Sequence, residues 1–314
     1  MLNRRHIRIK VMQAIFSYEG GEGDDFSKSE SFLLHSMNGM YDLYLSILAL
    51  LIAVHKKAEE HLEKTQQKKL ASEGDKNPNF KFTNNAILFS LKDNKLLNET
   101  ISKKKLNSWD LDFEYVEILF KAILESELYD NYMATRTSNV QEDKYFLIDI
   151  FTEIIAPNDK LYEYFEDKKL TWVDDISVVN TFIVRLFKKF KERKPETYFL
   201  PELFKDDDDL EFGKQLFRKT VLNQVSLYEE VARRTKNWDA DRLASIDGIL
   251  LQMAICELQK FPSIPEKVTI NEYLEIAKEY STPKSSIFIN GILDKLVKEY
   301  KEENLYPKSG RGLL

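Results

Sequence analysis

Residues 246–294 read IDGILLQMAICELQKFPSIPEKVTINEYLEIAKEYSTPKSSIFINGILD, and this stretch decides the fold. Ile249, Leu250, Met253, Ala254 and Leu258 recur at spacings of three and four, the period of a helix with a buried side. Pro262 and Pro265 then mark a turn, because neither ring fits inside a helix. A second helical pattern ends near Tyr280. Ser281-Thr282-Pro283-Lys284-Ser285-Ser286 supplies an N-cap for a third, which carries Phe288-Ile289-Asn290-Gly291-Ile292-Leu293-Asp294 in its first half. Gly291 inside that helix costs about 1 kcal/mol relative to Ala, so close approach of another helix or a ligand is expected there.

The same reading extends outward. Apolar spacing predicts helices over about 4–18, 29–67, 84–104 and 112–135. Gly20-Gly21-Glu22-Gly23-Asp24-Asp25 breaks the first from the second. The polar stretch from Lys68 to Asn85, with Gly74 and Pro78, reads as a loop. No segment alternates with the period of a strand, so the fold class is all-α. The chain has 314 residues, 43% of them hydrophobic, with net charge −6. That is enough apolar material for a packed core and excludes wholesale disorder. The acidic balance argues against a protein that coats nucleic acid over its whole surface, while leaving room for a local basic patch. Cys256 is the single cysteine, so no internal disulfide or thiolate zinc cage can form.

Met1-Leu2-Asn3-Arg4-Arg5-His6 is followed by no long apolar core, so it does not read as a secretory signal. The most lipid-like run, Leu43 to Val54, spans about 18 Å as a helix against a hydrocarbon layer of roughly 30 Å. It reads as a buried core helix, and the expectation is a soluble, cytoplasmic protein without a membrane partner. An offset of 66 residues also aligns Asp143, Phe146, Phe151, Leu161-Tyr162-Glu163, Trp172 and Asp175 with Asp209, Phe212, Phe217, Leu227-Tyr228-Glu229, Trp238 and Asp241. Chance matches compete with a degenerate duplication of a helix-turn-helix; the repeated tripeptide with a Trp in register favours duplication.

The opening helix carries Arg4, Arg5, His6, Arg8 and Lys10. Helical geometry gathers Ile7, Val11, Ala14 and Ile15 on one side and Arg5, His6, Ile9, Lys10, Gln13 and Phe16 on the other. Cations beside a polar amide and an aromatic ring suit single-stranded RNA: the cations neutralise phosphate and the ring stacks on a base. The competing reading is a solvated basic face. Cations at a helix N-terminus oppose the macrodipole, however, so this cluster calls for an anion.

Arg4-Arg5-His6-Ile7-Arg8 with Gln13-Ala14-Ile15-Phe16, Trp238 with Arg242, Asp247 to Leu258, Pro265 to Glu272, Ala277-Lys278, and Ser286 with Phe288 to Asp294 together resemble the NusB family of bacterial transcription antitermination factors. The run from Val268 to Asp294 is the specific part. The likeness covers the first twenty residues and roughly 206–300. It implies a NusB-like helical bundle from 1–19 and 206–303, an inserted helical region at 20–205 with the degenerate repeat at 143–190, and a tail at 304–314.

Such a bundle would bind boxA-type RNA of ribosomal RNA leader transcripts together with NusE, a ribosomal protein, and so join an RNA polymerase antitermination complex. By the family's pattern Arg4, Arg5, Arg8 and Gln13 match the RNA-contacting helix, Phe16 its aromatic position, and Phe288 the aromatic beside the RNA. Lys10 belongs to the same basic group, and Lys284 adds a cation before the last helix. His6 and Gln252 stand where arginines are usual. The opening segment and Phe288 are therefore expected to form one groove.

Phe288 also has a core explanation, and Asn290 reads as a residue bonding to backbone. Asp247 either favours the helix dipole or faces a protein or RNA partner. The acidic run Asp206 to Asp209 reads as a helix cap ahead of a cation site. Cys256 reads as inert packing. The four histidines are scattered, and no phosphate loop, nucleophile elbow or zinc signature appears, so no enzyme, metal or cofactor is expected. The alternative function is a helical protein-binding adaptor without RNA affinity. A third, an RNA cytosine methyltransferase carrying a NusB-like domain, would need an α/β domain after the helices, and the sequence ends at Leu314 without one.

Overall fold

The structure, a computed structural model, describes residues 1–21, 25–67, 76–235 and 245–303. Among these are fourteen α-helices and no strand. They are α1 (Arg4–Glu19), α2 (Phe26–Gln66), α3 (Ala86–Asp93), α4 (Lys95–Lys103), α5 (Phe113–Leu124), α6 (Glu127–Met133), α7 (Val140–Ile150), α8 (Asp159–Lys168), α9 (Ile176–Lys189), α10 (Asp207–Leu222), α11 (Gln224–Arg234), α12 (Ser245–Lys260), α13 (Glu266–Tyr280) and α14 (Ser285–Glu302). The chain divides into two compact units, one made of Met1–Met37 with the chain from Leu203 onward, the other of Asn38–Glu202. Helix α2 begins in the first and continues in the second.

In the first unit, α1 starts where the Asn3 side chain accepts the His6 amide at 3.0 Å, a capping arrangement that satisfies a free N–H. The one-sided apolar face expected of this helix is not what forms. Helix α1 packs on α10, α12 and α13, and Ile7 through Met12 are all buried. Ile9 and Lys10, placed by helical spacing on the outer side, are inside; long aliphatic stems allow even a lysine to serve as packing. Asp206 caps α10 by accepting the Asp209 amide at 3.1 Å, so the acidic run is the start of a helix. Gly213 lets α10 approach closely, since a Cβ there would lie 2.8 Å from Ile7 Cγ2 and 2.6 Å from Met37 Cε.

The second unit is built on the apolar length of α2. Leu43, Leu45, Leu48, Leu51 and Val54 are buried. By length and composition alone this helix could cross a membrane, yet 78% of its most apolar window is buried in protein. Two indoles grip its backbone: Trp109 donates to the Ser46 carbonyl at 3.0 Å and Trp172 to that of Gly39 at 2.7 Å. Phe146, Phe151 and Phe187 are buried as well.

Two helical stretches read as continuous are broken. Asn94 caps α4 by accepting the Leu97 amide at 2.8 Å, and Ser126 caps α6 by accepting the Tyr129 amide at 3.1 Å; in each case a short polar side chain outcompetes the helix ladder. The stretch read as a loop is anchored over its later part. Asn79 donates to the carbonyls of Met133 and Thr135, both at 2.9 Å, and the buried Lys81 pairs with Glu142. Its residues 68–75 lie outside the described residues.

The segments related by the 66-residue offset are each a helix, a turn and a helix: α7 with its π-turn Phe151–Ile155, then α8, and α10 followed by α11. Phe146 and Phe212, Phe151 and Phe217, and Leu161 and Leu227 are buried. Trp238, Asp241 and Arg242 lie outside the described residues.

Gly291 corrects the expected approach of another helix, though not of a ligand. A Cβ there meets nothing within 4 Å among the described residues, so no helix approaches it. The two glycines should therefore respond oppositely to substitution. Gly291→Ala is expected to raise stability by about 1 kcal/mol through helix propensity. Gly213→Ala should give a net loss of about 1 kcal/mol, because overpacking against Ile7 exceeds the same propensity gain. Urea denaturation midpoints of the two variants check both signs.

Candidate nucleic-acid interface

Helix α1 carries four fixed cations, and the first carboxylate in the sequence is Glu19. The anions come from three other helices. Arg8 makes a bidentate pair with Glu257 of α12, at 2.8 and 2.7 Å. Their side chains are 2% and 0% exposed. Glu257 also accepts the Thr269 hydroxyl at 2.8 Å and the Tyr273 hydroxyl at 3.2 Å, both from α13. The Arg8 guanidinium lies 5.0 Å from the Phe212 ring centre on α10. Burial works to lower the Arg8 pKa, but the hydrogen bonds and charge of Glu257 outweigh it and raise the value.

Arg5 forks onto Glu272 of α13, at 3.0 and 2.9 Å, and this hydrogen bonding raises its pKa. Arg4 donates to Asp209 at 2.9 Å and lies 5.2 Å from the Phe212 ring centre. Unlike Arg8, these two reach solvent, with side chains 43% and 40% exposed for Arg4 and Arg5.

They border an open cleft of about 610 Å³ lined by Asn3, Arg4, Arg5, His6, Arg8, the turn Ser263 to Pro265, Val268 and Glu272. Each of the three guanidiniums is paired with a carboxylate, Arg4 with Asp209, Arg5 with Glu272 and Arg8 with Glu257, and only the pairs of Arg4 and Arg5 reach solvent. Burial first, then the charges of Arg5 and Lys10, hold the His6 pKa below the ordinary histidine value. Its buried Nδ1 has no hydrogen-bond partner among the described residues.

The remaining site residues are dispersed. Phe16 is 49% exposed, in nearly the same angular direction as Arg5 but about 16 Å further along the helix. Ile9 and Met12, between them on that side, are buried, so no continuous strip joins the two. Gln13 is half-buried, Lys284 is exposed and Phe288 is half-buried. Neither Lys284 nor Phe288 lines the cleft, so the expected single groove of Arg5 with Phe288 does not form there.

Arg8, Lys10 and Asp247 are corrected outright, since all three are buried. Asp247 accepts the hydroxyls of Ser281 at 2.6 Å and Ser285 at 2.7 Å, which ties the α13–α14 connection to the first turn of α12. Asn290 donates to the Asp294 side chain at 3.0 Å, not to backbone. Burial pushes the Cys256 thiol up to about 11, which keeps it a protonated packing residue. Among the described residues no three His, Cys, Asp or Glu side chains gather as a metal site.

The NusB family model matches residues 186–298, from the end of α9 through most of α14. The transcription antitermination protein NusB of Salinibacter ruber is 39% identical over 112 residues, covering 36% of this chain and 70% of the relative. The chain belongs to the NusB family. The NusB proteins of Chloroherpeton thalassium and Finegoldia magna are each 38% identical, over 128 and 98 residues, covering 61% and 72% of those relatives and 40% and 31% of this chain. No solved structure matches the chain. Residues 1–185 precede the matched segment, so the chain is a long form of the family.

Sequence reasoning identified α1 as a basic helix wanting anions but missed Asp209, Glu257 and Glu272 as its counter-ions. The usable signal was the absence of any acid in residues 1–18: a buried cationic helix must draw its anions from elsewhere in the chain.

Two predictions follow from this geometry. Arg8→Ala leaves Glu257 charged and buried, which should cost about 3–5 kcal/mol; hydrogen exchange should quicken in α1 and α13. A loss under about 1 kcal/mol, the value of an exposed pair, would contradict it.

The depressed His6 pKa makes the folded state bind fewer protons than the unfolded chain. Stability from this residue is therefore full above about pH 6.5 and falls as pH drops toward the folded value. A His6→Gln variant should lose that part of the acid sensitivity in pH-dependent thermal melts.

Proposed function

We propose that this NusB-family chain binds boxA-type single-stranded RNA of ribosomal leader transcripts together with NusE, and acts within an RNA polymerase antitermination complex. The observation that carries the reading is the cleft at the start of α1, bordered by Arg4 and Arg5, whose half-exposed guanidiniums are held by carboxylates they can exchange for phosphate. The role is binding, not catalysis. In this reading the part of the unit Asn38–Glu202 that precedes the family match, residues 38–185, is a helical insertion, supported by the packing of α1 against α10, α12 and α13, which lie after it in the chain.

A protein-binding adaptor is the second reading. It is favoured by one observation, the pairing of Arg4, Arg5 and Arg8 with internal carboxylates.

Fluorescence anisotropy of labelled boxA-like RNA, titrated with salt in the presence and absence of NusE, separates the two. Affinity should fall as salt rises, because cations that neutralise phosphate release counterions. Arg4→Ala/Arg5→Ala should weaken binding, with Arg8 left in place because it belongs to the core. Glu272→Gln should do the reverse. Freeing Arg5 from a partly exposed pair worth about 0.2–1 kcal/mol should tighten RNA by roughly 1.4- to fivefold. Absence of binding at every salt concentration, with NusE present, supports the adaptor.

A further inference from the structure

The ten residues Arg185 to Lys194 hold six cations and one carboxylate, Glu192, in a chain of net charge −6. They cover the end of α9 and the segment after it. Arg185, Lys188 and Lys189 stand at i, i+3 and i+4, on one face of the helix. All three are exposed, as are Lys191 and Arg193 beyond the helix end.

What sets these cations apart is their density, since other lysines of the same unit without a carboxylate partner among the described residues, such as Lys56, Lys95 and Lys144, are scattered along the chain. Lys57, Lys92, Lys104, Lys160 and Lys168 each pair with a carboxylate within 4 Å. Arg185, Lys188, Lys189, Lys191 and Arg193 have no carboxylate partner among the described residues. The C-terminal dipole of α9 favours Lys188 and Lys189 in its last turn. It does nothing for Arg193 or Arg185, and like charges at i, i+4 work against the helix.

The sixth cation is fixed. Lys194 lies 4.2 Å from the Phe190 ring centre and donates to Ser90 Oγ at 3.0 Å. Asn94 donates to the Glu196 carbonyl at 2.8 Å. The segment after α9 is thereby held against the end of α3. Phe89, the residue before Ser90, is 52% exposed. A cationic segment anchored one residue from an uncovered aromatic ring brings together the two groups a single strand uses, cations for its phosphates and a ring for a base.

We propose that the 185–194 segment with Phe89 is a second RNA-binding surface, on the unit Asn38–Glu202 and separate from the cleft of α1. It recognises the phosphate backbone and is tolerant of sequence. An anionic membrane would also attract such a cluster, but Phe89 stands alone beside the cations, where membrane insertion calls for an apolar helix face.

The test uses the full chain and fluorescein-labelled oligouridylate, titrated between about 50 and 200 mM salt. If the five unpaired cations contact phosphate, the salt slope is about −3.5 on a logarithmic plot. Lys188→Ala/Lys189→Ala/Lys191→Ala/Arg193→Ala should lower affinity at least tenfold and flatten the slope by about 3. The corresponding glutamine variant should do the same, which separates loss of charge from loss of fold. Arg4→Ala/Arg5→Ala should leave oligouridylate binding largely intact, so this surface stands or falls apart from the cleft. Photocrosslinking with 4-thiouridine should label Phe89 or residues 185–194. Unchanged affinity and slope in both fourfold variants overturns the proposal. So does patch-dependent binding of phosphatidylserine vesicles with no binding of oligouridylate.

Discussion

The buried pair of Arg8 with Glu257 is the constraint on which the first unit depends. Two opposite charges removed from water are costly unless their hydrogen-bonding capacity is filled, and a pair broken at one end is worse than none. Here the fork is matched bidentately, Thr269 and Tyr273 donate to the same carboxylate, and the Phe212 ring lies beside the guanidinium. Helices α1, α10, α12 and α13 thus meet at one charged centre. Sliding α1 by a turn would strand both charges, so the pair specifies register as well as adding attraction. It also sorts the arginines: Arg8 is spent on architecture, while Arg4 and Arg5, at the rim, remain exchangeable.

Much of the fold was legible because helices announce themselves locally. The proline turn at 262–265, the cap at Asp206, and the apolar period of α12 are written within a few residues of where they act. The breaks at Asn94 and Ser126 were misread because apolar spacing carried on across them and hid the capping side chains. The face of α1 was misread for a different reason. Periodicity reports how a helix would lie against one neighbour, and α1 has three, so Ile9 and Lys10 are covered from directions that spacing cannot register.

The site was less legible than the fold. Residue types showed a basic helix wanting an anion, but not that Asp209, Glu257 and Glu272, roughly 200 to 270 positions away, supply it. Phe288 and Asp247 illustrate the same limit. Their family likeness marks positions, whereas their roles depend on which neighbours reach them. Asp247 turns out to organise a helix connection through Ser281 and Ser285.

Glu272 serves two masters, held by the Arg5 fork and lying 3.8 Å from an Arg8 nitrogen. Under the proposed RNA binding, a phosphate arriving at Arg5 would not fill a vacancy; it would displace Glu272, which stays close by on α13. Exchange of one anion for another yields little when the newcomer is a single small ion. A polymer that touches several places at once retains its grip while each contact is contested. If RNA binds here as proposed, the cleft would act as a filter that discounts loose anions and rewards connected ones.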